Sequence, residues 1–209
     1  MISLSSRVDA LSARYRAVIF DLDGTLVDSM PLHLAAWQHA AREFAFDYDA
    51  DTFYGWGGVP SRKIVALINS SQGLTLDVEQ VARVKTAHYA ANMARVTPIA
   101  ESVALVQALY GRMPLAIGTG SPAINARRIL TDTGLADYFA TVITADDVSA
   151  HKPHGDTFLL AARQLGISAS DCLVFEDTPI GFAAAEDAGM DWVAVRKGQI
   201  DWSRTAEPA

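Results

Sequence analysis

The stretch Ala17-Val18-Ile19-Phe20-Asp21-Leu22-Asp23-Gly24-Thr25 decides how the rest of the chain is read. Its four leading apolar residues suit a strand covered on both faces, and Gly24 allows the abrupt turn that ends it. In open α/β sheets ligands bind beyond the carboxyl ends of the strands, which is where Asp21 and Asp23 stand. Period-two geometry sends both side chains out of the same face, so both carboxylates can address one substrate.

The remainder of the chain is consistent with a globular enzyme. A length of 209 residues allows one domain, or a domain with a modest insertion. Half of the residues are hydrophobic and a fifth charged, and the formal net charge of -7 argues against a nucleic-acid or anionic-membrane surface. Small metabolites are the expected partners. Cys172 is the only cysteine, which excludes an intrachain disulfide and a cysteine cluster for zinc. Residues 1–16 lack the continuous apolar core of a secretory signal, and no later segment is long enough to span a bilayer, so the expected location is cytoplasmic. Val8, Leu11 and Tyr15 give the leader an amphipathic look, but a loosely held tail is expected there. The ending, 198–209, reads as peripheral.

Beyond the acidic turn, Met30, Leu34, Trp37, Ala41 and Phe44 recur at helical spacing, with Pro31 in the first turn. Ile64, Leu67 and Ile68 mark a second helix, and Val78, Val81 and Val84 a third. From Pro98 the pattern becomes strands alternating with helices, as in a parallel sheet built from right-handed crossovers. The predicted strands are 115–118, 140–144, 172–175 and 192–195. Ser121-Pro122 and Thr178-Pro179 each offer an N-cap followed by proline at the first helical position, and Gly134, Gly166 and Gly189 sit where helices should stop.

Three more polar clusters follow predicted strands: Gly118-Thr119-Gly120-Ser121, His151-Lys152-Pro153 and Glu176-Asp177-Thr178. Each alone has a bland explanation, as a turn, a surface loop or a helix start. Together and in this order they resemble the four motifs of the haloacid dehalogenase superfamily of phosphotransferases, and the match spans nearly the whole chain. The resemblance implies an α/β, Rossmann-like parallel-sheet core from 1–29 and 97–209, with a helical cap domain at 30–96 inserted after the first strand. That insertion resembles the subfamily containing β-phosphoglucomutase and small sugar phosphatases. Gly111-Arg112-Met113-Pro114 and Val174-Phe175-Glu176-Asp177 are similar to stretches of bacterial fructose-1-phosphate and 6-phosphogluconate phosphatases.

The chemistry explains the residue types. Splitting phosphate transfer through an aspartyl phosphate turns one difficult displacement into two easier ones, and Asp21 is the expected nucleophile. Asp23 is the expected acid for the leaving alkoxide and base for the incoming water, and its backbone carbonyl is implied as a metal ligand by the resemblance. Asp21, Glu176 and Asp177 beside a phosphate call for a hard divalent cation, and an oxygen-only ligand set suits Mg²⁺. The resemblance puts Asp177 on that ion, with Glu176 either coordinating it or orienting water. Lys152 is expected to neutralise phosphoryl oxygens, while the Thr119 hydroxyl and Gly120 amide donate to them and Ser121 borders the substrate.

By the same resemblance the insertion is a lid with hinges near 28–30 and 96–98, and it supplies the sugar contacts. The loop 55–62, with Trp56 and Arg62, is the first candidate for reading substrate. The competing reading packs Trp56 in the cap and leaves Arg62 solvated. His33, near the first hinge, and Lys85 resemble family positions that meet substrate. These expectations converge on a Mg²⁺-dependent phosphatase of small phosphorylated sugars or sugar acids. A phosphomutase is the nearest rival, although Ser61 stands where the mutase has a phosphate-clamping arginine. A dehalogenase would leave Asp23 and the Glu-Asp pair unused. A non-catalytic sugar-phosphate sensor is the alternative of another class.

Overall fold

The computed structural model describes residues 2–204. It begins with helix α1 (Leu4–Arg14), whose first turn is capped by Ser3 Oγ accepting the Ser6 amide at 3.1 Å. The leader is therefore not a loose tail. Val8 and Leu11 are buried with Tyr15 in the main core, and the Tyr15 hydroxyl donates to Asp191 Oδ2 at 2.7 Å. The apolar i, i+3 spacing was visible in the sequence. The surface that receives it, formed by later elements, was not.

Strand β1 (Ala17–Phe20) is buried along its whole length, as its unbroken apolar run requires. Gly24 closes the following turn at φ +87°, its amide donating to Val27 O at 2.8 Å. The short strand β2 (Val27–Asp28) leads into α2 (Met30–Phe44), with Pro31 in its first turn. Helices α3 (Ala50–Gly55), α4 (Ser61–Gln72) and α5 (Val78–Asn92) follow, and β3 (Thr97–Pro98) returns the chain antiparallel to β2. The two connections to the helical layer are thus hydrogen-bonded to each other. Trp37, Phe46, Phe53, Ile64, Ile68 and Val81 form an apolar core of that layer, whereas Leu67 turns outward. Leu32, Ala36, Tyr89 and Met93, at the base of α2 and α5, belong instead to the main core.

The second half alternates as expected: α6 (Ala100–Leu109), β4 (Leu115–Gly118), α7 (Ala123–Asp132), β5 (Thr141–Ile143), α8 (Asp156–Leu165), β6 (Cys172–Glu176), α9 (Pro179–Asp187) and β7 (Asp191–Arg196). The sheet order is β5-β4-β1-β6-β7-β8, parallel except for β8 (Gln199–Asp201), which pairs antiparallel with β7. This strand corrects the reading of the ending as peripheral: Ile200 is buried and Trp202 meets Phe175 edge-on at 6.1 Å. Residues 205–209 of that stretch lie outside the described residues.

Two helix starts differ in kind. Thr178 caps α9 as expected, its hydroxyl accepting the Gly181 amide at 3.1 Å. Helix α7, however, begins at Ala123 with Pro122 itself in the capping position, and the Ala123 amide is held by Asp146 Oδ2 at 2.9 Å. Ser121 therefore lies one residue outside the cap, and its hydroxyl donates instead to the Asp23 carboxylate at 2.6 Å.

Candidate active site

β1 sits at the centre of the sheet between β4 and β6, so the residues just past their carboxyl ends meet at one edge. The Asp21 amide still donates to Phe175 O at 2.9 Å, which anchors the acid to the sheet. Lys152, from the loop after β5, enters this edge and is only 2 % exposed. Its ammonium donates to Asp21 Oδ1 at 2.6 Å and to Glu176 Oε1 at 2.9 Å. The other Glu176 oxygen accepts the Thr178 amide at 2.6 Å and hydroxyl at 3.0 Å. Burial alone would lower the Lys152 ammonium, but its pairing with Asp21 and Glu176 holds it above the ordinary lysine range.

Asp177 completes the cluster. Its Oδ1 accepts the Thr25 hydroxyl at 3.3 Å, whereas Oδ2 is buried with no partner among the described residues. Carboxylate oxygens of Asp21, Glu176 and Asp177 lie within 4.8 Å of one another. Like charges at that spacing repel by roughly 3 kcal/mol per pair at an effective dielectric near 20, and one ammonium cannot offset three of them. Burial, with the charges of its neighbours, accordingly pushes Asp21 and Asp177 above the usual carboxylate range. An unpartnered buried oxygen in an all-oxygen donor set fits a hard divalent cation. Gly24 keeps that position open: a Cβ there would lie 2.2 Å from Asp177 Oδ2.

Asp23 faces a different set of partners. Its carboxylate accepts the Ser29 hydroxyl at 2.5 Å and the Ser121 hydroxyl at 2.6 Å, and His33 Nε2 lies at 3.4 Å. Burial would raise this carboxyl, but His33 and the two hydroxyls outweigh it and hold Asp23 below the usual range. His33 in turn stacks on Tyr89 at 4.1 Å, and its Nδ1 meets the Lys85 ammonium at 2.9 Å. An ammonium has only donors, so Nδ1 is the acceptor and the proton sits on Nε2, facing Asp23. Burial lowers Lys85 to about 8, and burial with the Lys85 charge lowers His33, against the pull of Asp23.

A cavity of about 760 Å³ opens over these groups, between the sheet edge and the helical layer. Thr119, Gly120, Ser121, His33, Lys85 and Arg62 all line it, together with Asp21, Asp23, Glu176 and Asp177. The Thr119 hydroxyl accepts the Ser121 amide at 3.0 Å. The loop between α3 and α4 lies so close that a Cβ on Gly120 would stand 2.5 Å from Gly58 O. Arg62 is exposed and pairs with Glu79 at 2.8 Å, while Trp56 packs against Phe53 at 5.0 Å. Both side chains border the cavity, but their recorded partners are structural. Sequence reasoning missed Ser29, Thr25, Thr178 and Tyr89. Tyr89 was within reach, since it stands one turn from Lys85 and shares its face.

Comparison with known proteins agrees with this arrangement. Residues 18–195 match the model of the haloacid dehalogenase-like hydrolases. The chain is 38% identical to the fructose-1-phosphate phosphatase YqaB of Escherichia coli, over 88% of this chain and 97% of that protein. It is 28% identical to the β-phosphoglucomutase of Bacillus subtilis, over 88% and 84% of the two chains. Among solved structures, a hydrolase from Pseudomonas syringae superposes with a TM-score of 0.80 at 25% identity, covering 91% of this chain and 89% of that one. With the sheet, the acid cluster and these matches in agreement, the chain belongs to the haloacid dehalogenase-like hydrolase family.

Proposed function

We propose that this protein is a Mg²⁺-dependent phosphatase of small phosphorylated sugars or sugar acids, acting through a phosphorylated Asp21. The observation that carries the reading is the convergence of Asp21, Lys152, Glu176 and Asp177 at one sheet edge around an unpartnered buried carboxylate oxygen. The names of relatives support it, among them YqaB and the phosphorylated carbohydrates phosphatase of Thermotoga maritima. Asp21, Asp177 and the Asp23 carbonyl would hold Mg²⁺, which when bound offsets the charge of the acids and of the phosphate. Glu176, with both oxygens occupied by protein donors, orients Lys152 and Thr178.

Asp21 has one oxygen tied to Lys152, which leaves Oδ2 to attack phosphorus as the phosphorus–alkoxide bond breaks. The leaving oxygen takes a proton from Asp23. Water then attacks the aspartyl phosphate and gives its proton back to Asp23, so inorganic phosphate is released and both acids are regenerated. Ser29, Ser121 and His33 hold Asp23 as the carboxylate needed in the second step; the first step requires those donors to be displaced as sugar enters and Asp23 to take up a proton from water, which it then passes to the leaving oxygen. The Lys152 ammonium, the Thr119 hydroxyl and the Gly120 amide receive the charge that develops on the phosphoryl oxygens. Residues 30–96 act as the cap, moving on the paired strands β2 and β3. The cytoplasm is the compartment that fits such substrates and the single buried thiol of Cys172.

The test is phosphate release with Mg²⁺ from fructose 1-phosphate, 6-phosphogluconate, glucose phosphates and nucleotides, with β-glucose 1-phosphate also followed for isomerisation. Release from one or a few sugar phosphates is expected. Conversion of β-glucose 1-phosphate to glucose 6-phosphate without release would move the assignment to a mutase. Binding without turnover would make the protein a sensor.

A further inference from the structure

Two polar side chains on the cavity wall take no part in the acid and lysine cluster. Asn125, in the first turn of α7, is 8 % exposed, and its side chain makes no hydrogen bond among the described residues. Its amide atoms are not sealed from solvent, so they open on the cavity, where two donors and an acceptor stand available to a ligand. Arg83, an exposed residue on α5, also lines the cavity and has no ion pair or hydrogen bond among the described residues. Glu79 stands one turn earlier, at the spacing where a helix ordinarily pairs such charges, yet it is turned to Arg62 at 2.8 Å. Lys85 is engaged by His33. Of the arginines and lysines lining the cavity, Arg83 alone among the described residues keeps all its donors for a ligand.

We propose that these two residues select the substrate: Asn125 hydrogen-bonds a hydroxyl of the sugar, and Arg83 binds a second anionic group, carboxylate or phosphate, at the end remote from the transferring phosphate. The assignment rests on the phosphatase reading above. Arg83 lines the cavity as an exposed residue, whereas Lys85 and Tyr89 of the same helix are buried beside His33 and Asp23, so Arg83 stands on the open side of the cavity, away from the reacting groups. The forked guanidinium matches either anion, whereas a substrate ending in a neutral hydroxyl leaves it solvated and gains nothing from it.

The experiment compares kcat/KM, with Mg²⁺, for sugar phosphates whose far end is a carboxylate, a second phosphate or a neutral hydroxyl, with p-nitrophenyl phosphate as a substrate lacking all three. Wild type, Arg83→Gln, Arg83→Lys, Asn125→Ala and Asn125→Ser are measured. Arg83→Gln should lower the preference for anionic over neutral ends by roughly tenfold, chiefly through KM, with part of it restored in Arg83→Lys. The preferred end in wild type identifies the anion. Asn125→Ala should raise KM for sugar phosphates relative to p-nitrophenyl phosphate, whose turnover also reports folded enzyme, and Asn125→Ser should recover part of the loss. Unchanged ratios with turnover intact overturn the assignment and leave the phosphatase reading standing. No phosphate release from any compound, the aryl phosphate included, removes the phosphatase reading and the assignment with it.

Discussion

Asp21 and Gly24 show how much of the chemistry depends on single atoms. Asn at position 21 retains the shape and an acceptor for Lys152 but cannot form the aspartyl phosphate. Asp21→Asn should therefore lower phosphate release by on the order of 10⁴-fold or more while circular dichroism stays native. Metal-dependent hydrolysis surviving in the pure variant would remove the nucleophile assignment. Gly24 combines φ +87° with a Cβ position 2.2 Å from Asp177 Oδ2. Gly24→Ala must strain the turn, at roughly 1–2 kcal/mol for a left-handed non-glycine, and displace the Asp177 carboxylate. The expected result is a Mg²⁺ requirement raised at least about tenfold, the loss of a hydrogen-bond-strength contact, read from activity against Mg²⁺ concentration. An unchanged Mg²⁺ curve would separate Gly24 from the metal.

At the scale of elements, α1 behaves as part of the core. It lies against α6, and it is tied to the start of β7 by Arg14 and the Tyr15 hydroxyl, each 2.7 Å from Asp191 Oδ2. Burial raises the Tyr15 phenol, as do the hydrogen bond to Asp191 and its charge. In the unfolded chain the phenol ionises near pH 10, and in the folded chain only at higher pH. The contribution of Tyr15 is thus complete below about pH 10 and is lost as pH rises beyond it. Urea midpoints of wild type and Tyr15→Phe should differ by about 1 kcal/mol in stability near pH 8 and converge in the alkaline range. A constant difference up to pH 11 would show that the phenol's proton is not what fastens α1.

For the whole molecule, the acid cluster makes stability and metal inseparable. An ion binding the folded chain alone stabilises it by about 2.7 kcal/mol at a hundredfold excess over Kd. Mg²⁺ should raise the melting temperature, chelation should reverse the rise and silence turnover together, and Asp177→Asn should abolish the rise. A melting temperature indifferent to Mg²⁺ in the wild type would contradict the cluster's role as a metal site. The helical layer is tied to the rest of the chain in two ways: by the strand pair β2 and β3, and by Leu32, Ala36, Tyr89 and Met93 in the main core. Any closing motion therefore pivots on a packed base rather than on free linkers.

The sequence alone determined the α/β alternation, the position of the helical insertion and the residues gathered at the sheet edge. Those features are local: apolar periods, proline and glycine punctuation, and acids placed just past buried strands. Only the tertiary structure decided that residues 4–14 and 199–202 belong to the core: α1 packs on α6 and reaches Asp191 far along the chain, while β8 folds back on β7 and Trp202 reaches Phe175. It likewise decided that Ser121 serves Asp23 rather than its own helix and that Glu79 takes Arg62 rather than Arg83. Each of these is a competition between a near partner and a distant one. Spacing along a chain names the near partner, and folding alone brings the distant one within hydrogen-bond reach.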